Sequence, residues 1–163
     1  MNMVSHKEIE FSIRCATPDD VPGIRSVLCS VRREYGVLWE IGANDAELDD
    51  LEGSYFRRGG HFEVVENMAQ RIVGCAGLYP LTARRAELGK MYIEFSARGR
   101  GLGRQLLENM LVVARQNGFF EVWLETSSSL SGAITLYRQY GFEPDASAVL
   151  TNRCDAAYLL RLR

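Results

Sequence analysis

Phe11-Ser12-Ile13-Arg14-Cys15 alternates apolar with polar residues, the period of a strand with one buried face, and predicts β structure near the start of the chain. Thr17-Pro18-Asp19-Asp20 then reads as a helix start, with threonine as N-cap, proline at the first helical position and acids at the positive end of the dipole. Val21, Ile24, Leu28, Val31 and Tyr35 follow at helical spacing and predict the stripe this helix buries. A second, shorter helix is predicted from Asn44 to about Arg58, with Leu48, Leu51 and Tyr55 turned inward. Three strand-like segments come next, near His61–Glu66, Arg71–Leu78 and Ala86–Phe95. From Leu102, the apolar residues Leu102, Leu106, Leu107, Met110, Leu111 and Ala114 mark an amphipathic helix, with Gly118 where a C-terminal cap belongs. Phe120–Thr126 predicts a strand, Ser131–Tyr140 a helix stopped by Gly141, and Ala156–Leu162 a last strand. The order β-α-α-β-β-β-α-β-α-β predicts an α/β fold in which helices cover a mixed sheet.

No repeat, low-complexity stretch or linker interrupts this pattern, and 163 residues suffice for one domain spanning 1–163 with a real core. Hydrophobic residues make up 47% and charged residues 25%, as expected of a soluble globular protein. Lys plus Arg number 19 against 21 for Asp plus Glu, a net charge of −2, which argues against a nucleic-acid binder that works by neutralising phosphates. The four cysteines, Cys15, Cys29, Cys75 and Cys154, form no paired motif, and only His6 and His61 could join them as metal ligands. No metal is expected, and the thiols read as small core residues. The polar opening MNMVSHKEIE lacks the apolar segment of a signal peptide, and no apolar run reaches the length of a membrane span. A cytoplasmic protein without membrane partners is the expectation.

The segment that carries chemistry is Arg98-Gly99-Arg100-Gly101-Leu102-Gly103-Arg104, which follows a strand and opens the long amphipathic helix. Unpaired amides in the first turn of a helix converge on one point, and the dipole makes that point positive. Glycines let the backbone approach a ligand closely, so such a loop can cradle a phosphate or diphosphate. The bland alternative is a solvated basic turn. Two rival motifs fail: a Walker A loop would need GK[ST] where Gly103 is followed by Arg104 and Gln105, and the spacing GxGxG is not the dinucleotide fingerprint GxGxxG.

Arg98-x-x-Gly101-x-Gly103 resembles the Q/R-x-x-G-x-G/A signature of the GNAT acetyltransferase superfamily. The run AELGKMYIEFSARGRGLG is similar to that family's fourth strand leading into its diphosphate loop. The stretch from Ala133 to Phe142, AITLYRQYGF, is similar to the family's A-x-x-L-Y-x-x-x-G-F block, and the element order from about Ile72 to Phe142 agrees. The resemblance implies a three-layer fold around a mixed, mostly antiparallel sheet of about seven strands. It also implies an acetyl-CoA-dependent N-acetyltransferase acting on a small-molecule or peptide amine, as a monomer or homodimer, by direct transfer in a ternary complex. A non-catalytic acyl-CoA sensor on the same fold is the alternative, and an RNA- or protein-modifying subunit needing a partner is a third.

Residue by residue, the resemblance implies that the amides of Gly99, Arg100, Gly101, Leu102, Gly103 and Arg104 hold the diphosphate of coenzyme A, with Arg98 opening the loop. Met91, Tyr92 and Ile93 would pair through their backbone with the pantetheine arm. Tyr137 falls on the family's general acid; its alternative reading is a core aromatic. Glu87 falls where some members carry a general base; its alternative is a solvated or salt-bridged strand residue. One position departs: many members have an asparagine where this chain has Leu130, leaving Thr126, Ser131 or water to supply that contact. The acids Asp45, Glu47, Asp49, Asp50 and Glu52 could steer a cationic amine, although a charge run is more simply a solvated face.

Overall fold

A computed structural model describes residues 10–36, 45–151 and 154–163. The helix start expected at Asn44, and the opening segment with His6, lie outside the described residues. Strand β1 is Phe11–Cys15 and helix α1 is Val21–Glu34, preceded by a 3-10 turn over Pro18–Asp20. Asp20 accepts from the backbone N–H of Thr17 at 2.8 Å and takes two 2.8 Å bonds from Arg14, which secures the corner between β1 and α1. The second helical region is broken rather than continuous. A 3-10 turn over Ala46–Asp50 leads into α2, Leu51–Ser54, and then a 3-10 turn over Phe56–Arg58. Gly53 within α2 and the local bond from its amide to Asp50 favour short turns over a long helix. Leu48, Leu51 and Tyr55 are nevertheless buried as their spacing predicts.

Strands β2 (His61–Asn67), β3 (Ile72–Pro80) and β4 (Arg85–Ile93) follow, then α3 (Leu102–Gln116), β5 (Glu121–Thr126), α4 (Ser131–Gln139), β6 (Glu143–Pro144) and β7 (Ala156–Arg161). They form one seven-stranded sheet in the order β1-β2-β3-β4-β5-β7-β6. Every neighbouring pair is antiparallel except β4 with β5. The sequence pattern shows six of these strands; the two-residue β6 is too short to leave a period.

Helices cover both faces. On one, Ile24, Val27, Leu28 and Val31 of α1 pack with Leu48, Leu51 and Tyr55 against Phe62, Val64 and Cys75. On the other, Leu106, Leu107, Met110 and Leu111 of α3 pack with Tyr137 of α4 against Val65, Val73, Leu78 and Leu88. β3 lies under both layers, so its run IVGCAGLYP is apolar throughout and buried almost without a break. Among the described residues no helix is long and apolar enough to cross a membrane.

Candidate active site

The site begins with two departures from regular strand pairing. Cys75 faces Tyr92 and Gly77 faces Gly89 across β3 and β4, so Lys90 and Met91 together oppose the single residue Ala76. This is a β-bulge, and Lys90 occupies it at φ 50°, in the left-handed region. The parallel pairing of β4 with β5 covers only Arg85–Glu87 against Glu121–Trp123. Beyond that the two strands part, and Met91, Tyr92 and Ile93, with no β5 partner on that side, line a cleft of about 360 Å³.

The floor of the cleft is the start of α3. Gly101 caps it at φ 78° with no side chain bonding the first turn, and Gln105 makes the first amide bond back to Gly101 at 3.0 Å. The amides of Leu102, Gly103 and Arg104 therefore have no partner within the helix. Gly99 also has a positive φ, 75°, and a side-chain carbon added at Gly99 or Gly101 would meet nothing within 4 Å. The space beside the loop is open, the amides are unmatched, and the dipole end is positive. A diphosphate fits that description.

The three arginines are engaged with the protein itself. Arg98 donates from Nε to the Ile93 carbonyl at 2.8 Å and pairs with Glu34 at 2.5 and 2.8 Å, so it ties the end of β4 to the last turn of α1. Arg100 pairs with Glu10, and Arg104 bonds Gln139 at 2.9 Å and the Tyr140 hydroxyl at 3.1 Å. Arg98 thus holds the loop's shape, while Arg104 ties the first turn of α3 to the C-terminal end of α4.

Tyr137 lines this cleft from α4 and is 6% exposed, its ring 5.7 Å from that of Phe142. Burial, with a smaller contribution from Tyr92, pushes its hydroxyl well above the ordinary tyrosine range, so it holds its proton at neutral pH. Tyr92, Leu130, Ala133 and Tyr137 are shared with a narrow cavity of about 70 Å³ that also reaches Thr126 and Glu125. Ser131 lines neither space. Leu130 itself lines the wall where the resemblance implies a polar residue, and the buried Thr126 also lines the narrow cavity.

Through Arg32, Gly89, Lys90, Tyr92 and Cys154, the narrow cavity adjoins a third space of about 330 Å³ lined by Glu47, Tyr55, Tyr79, Glu87 and Glu125. Glu87 is half-buried there on β4, opposite Tyr79 on β3 and beside Trp123 on β5. The three spaces adjoin in series, the narrow cavity sharing lining residues with the other two, and together make up a passage. Tyr137 stands at its middle, the glycine loop at one end and Glu87 at the other.

The sequence of residues 25–142 matches the acetyltransferase (GNAT) family. This chain belongs to that family and is an acyltransferase. An uncharacterized N-acetyltransferase of Escherichia coli, YjgM, is 38% identical over 136 residues, covering 80% of this chain and 81% of that protein. N-acetyltransferase 8B of Rattus norvegicus is 32% identical over 103 residues, 60% of this chain; the chain spans only 46% of that longer protein. Among solved structures, a GNAT-family acetyltransferase of Staphylococcus aureus superposes with a TM-score of 0.83 at 21% identity, over 94% of this chain and 99% of the other. A Salmonella typhimurium acetyltransferase, solved with acetyl-CoA, superposes with a TM-score of 0.74 at 21% identity over 94% and 95% of the two chains.

Several features of this GNAT enzyme differ from what its sequence suggests. The acidic run is not uniformly a solvated face. Asp45 is buried, accepting from Arg32 at 2.6 and 2.9 Å and from Lys90 at 2.7 Å, and Glu47 also pairs with Lys90 at 2.7 Å. Burial alone would push the Asp45 carboxyl up, but the two cations outweigh it and hold it well below the ordinary carboxylate range. Nor are the cysteines all core residues: Cys75 is buried, Cys15 is exposed, and Cys154 lines two of the three spaces. Val31 and Arg32 of α1, and Tyr35 just past its end, also line the passage, a contribution with no local signal in the sequence.

Proposed function

We propose that this acyltransferase takes acetyl-CoA as donor and transfers the acetyl group to a primary amine of a small molecule or peptide, directly, in a ternary complex. The observation that carries the reading is this series of adjoining spaces. At one end are the unmatched amides of α3; at the other is a polar cleft lined by carboxylates and tyrosines; Tyr137 and the splayed part of β4 lie between. The fold shared with an acetyltransferase solved with acetyl-CoA supports the choice of donor.

In this reading the loop from Arg98 to Arg104 receives the diphosphate through the amides of Gly99 to Arg104, with Arg98 holding the loop in place. Met91, Tyr92 and Ile93 offer backbone groups to the pantetheine arm, which takes the place of the strand missing beside β4. The thioester then lies at the narrow middle of the passage, next to Tyr137. The amine nitrogen, arriving from the Glu87 side, attacks the thioester carbon. Backbone amides at the bulge stabilise the oxyanion, the C–S bond breaks, and Tyr137 gives its proton to the departing thiolate. Glu87, directly or through water, takes the proton that the amine loses. No covalent acyl-enzyme is needed.

The test is thiol release from acetyl-CoA with a panel of amines: alkylamines, diamines, amino acids, aminoglycosides and short peptides. Amine-dependent release with acetylated product identified by mass is the expected result. Saturable acetyl-CoA binding with no transfer to any amine, and no loss of acetyl-CoA, would make the chain an acyl-CoA sensor instead.

A further inference from the structure

Among the described residues, only Gln70 and Lys90 have a positive φ without being glycine. Gln70 sits in the tight turn between β2 and β3, where its amide bonds the Asn67 carbonyl at 2.9 Å. Lys90 is different, because it lies within a strand at a position where glycine would adopt the same backbone more cheaply. Something must hold a lysine there, and the structure provides it from both sides. Its carbonyl accepts from the buried Cys75 thiol at 3.1 Å. Burial pushes that thiol up to about 12, so it stays protonated and able to donate. Its ammonium, on a side chain only 11% exposed, meets Asp45 and Glu47 at 2.7 Å each.

Asp45 is the hub. It also holds Arg32 of α1 in a two-bond fork, so one buried carboxylate joins α1, the turn over Ala46–Asp50 and the bulge of β4. Lys90 immediately precedes Met91 and Tyr92, and it lines both the narrow middle cavity and the polar cleft. Resting on the acetyl-transfer reading above, we propose that Asp45 is a positioning residue for catalysis: through Lys90 it locks the left-handed bulge that aims the β4 backbone at the thioester. The ionic clamp acts on geometry at the reacting carbon rather than on the cofactor's diphosphate, which lies at the far end of the passage. Its loss therefore affects turnover more than acetyl-CoA affinity.

The experiment compares Lys90→Met, Lys90→Arg, Asp45→Asn and the Lys90→Met/Asp45→Asn double variant with the parent, each assayed below its own melting transition. The parent is measured first for acetyl-CoA-induced stabilisation and amine-dependent thiol release. If it shows neither, the acetyl-transfer reading fails, and the positioning role falls with it. With an active parent, Lys90→Met should lower kcat on the order of 10- to 100-fold, the cost typical of a misplaced reacting group, with little change in acetyl-CoA affinity. Lys90→Arg, which keeps a cation for both carboxylates, should recover much of that loss. Asp45→Asn should match Lys90→Met, and the double variant should be no slower than either, since both cut the same link. Should Asp45→Asn fail to fold because Arg32 is left without its carboxylate, the contrast between Lys90→Met and Lys90→Arg decides. An unchanged kcat in Lys90→Met, a higher acceptor KM alone, or no recovery with arginine overturns the proposal and leaves acetyl transfer standing.

Discussion

Tyr137 belongs at once to the core and to the passage, packed on Phe142 yet lining the cleft beside Tyr92 and Ala133. That double membership makes its hydroxyl separable from its ring. Tyr137→Phe keeps the packing and deletes the proposed proton donor, so kcat should fall by ~10²–10⁴ while acetyl-CoA affinity stays close to the parent's. Retained turnover would hand the proton transfer to water or another group; loss of folding or of cofactor binding would make the tyrosine a packing residue. Glu87 calls for a different measurement, because a base that must also remove the ammonium proton matters most while the amine carries it. Glu87→Gln should slow the reaction most at pH values well below the amine's pKa, and the deficit should shrink as free amine accumulates. A small loss, equal at every pH, would assign Glu87 to the strand's polar framework instead. Both positions were legible in the sequence because each sits in a local pattern, one in LYRQYGF and the other four residues before Met91. Lys90 and Asp45 were not. Their meaning lies in a backbone turn and in a contact spanning 45 positions, neither of which has a local signature.

The decisive element is α3 and the turn that starts it. Its apolar residues Leu106, Leu107 and Met110 are fully buried, which fixes the helix on the sheet and points its open end at the cleft. Linkage predicts ~2.7 kcal/mol of added stability with acetyl-CoA at a hundredfold excess over Kd, a clear rise in melting temperature. Gly101→Asp puts a negative side chain in the open space beside the amides, at a positive φ that strains any side chain. The variant should melt somewhat earlier and lose the cofactor-induced rise. A folded Gly101→Asp protein that keeps the full rise would remove the diphosphate from this loop. The apolar period and capping glycine of α3 were plain in sequence, as were the strands around it. The region over residues 46–58 was harder to read, because Leu48, Leu51 and Tyr55 keep a helical spacing while local side-chain bonds and Gly53 divide the backbone into short turns.

At the scale of the whole molecule, buried carboxylates link the passage to stability. Asp45 and, through its bonds to Arg14, Asp20 both hold their protons less readily folded than unfolded. A depressed carboxyl stabilises the fold above its unfolded pKa and loses that contribution as pH falls through the folded value. Melting temperature should therefore decline below about pH 4, and Asp45→Asn, less stable at neutral pH, should decline less on acidification. An unchanged slope would mean that the Asp45 cluster carries none of the acid sensitivity. The fold class follows from element order and the mostly antiparallel sheet from the resemblance, but the passage itself does not. It is assembled from α1, β4, the start of α3, β5, α4, Thr151 and Cys154, and only their tertiary arrangement brings its three spaces side by side.

In the function proposed for this acyltransferase, coenzyme A lies along the passage with its diphosphate on the start of α3. Backbone amide spectra of the isotope-labelled protein, titrated with acetyl-CoA, test it most directly. The amides of Gly99 to Arg104 and of Met91 to Ile93 should shift together and saturate at one Kd, with those of β1 and β6 little changed. Saturable binding that leaves both of those segments unmoved would place coenzyme A elsewhere on the protein.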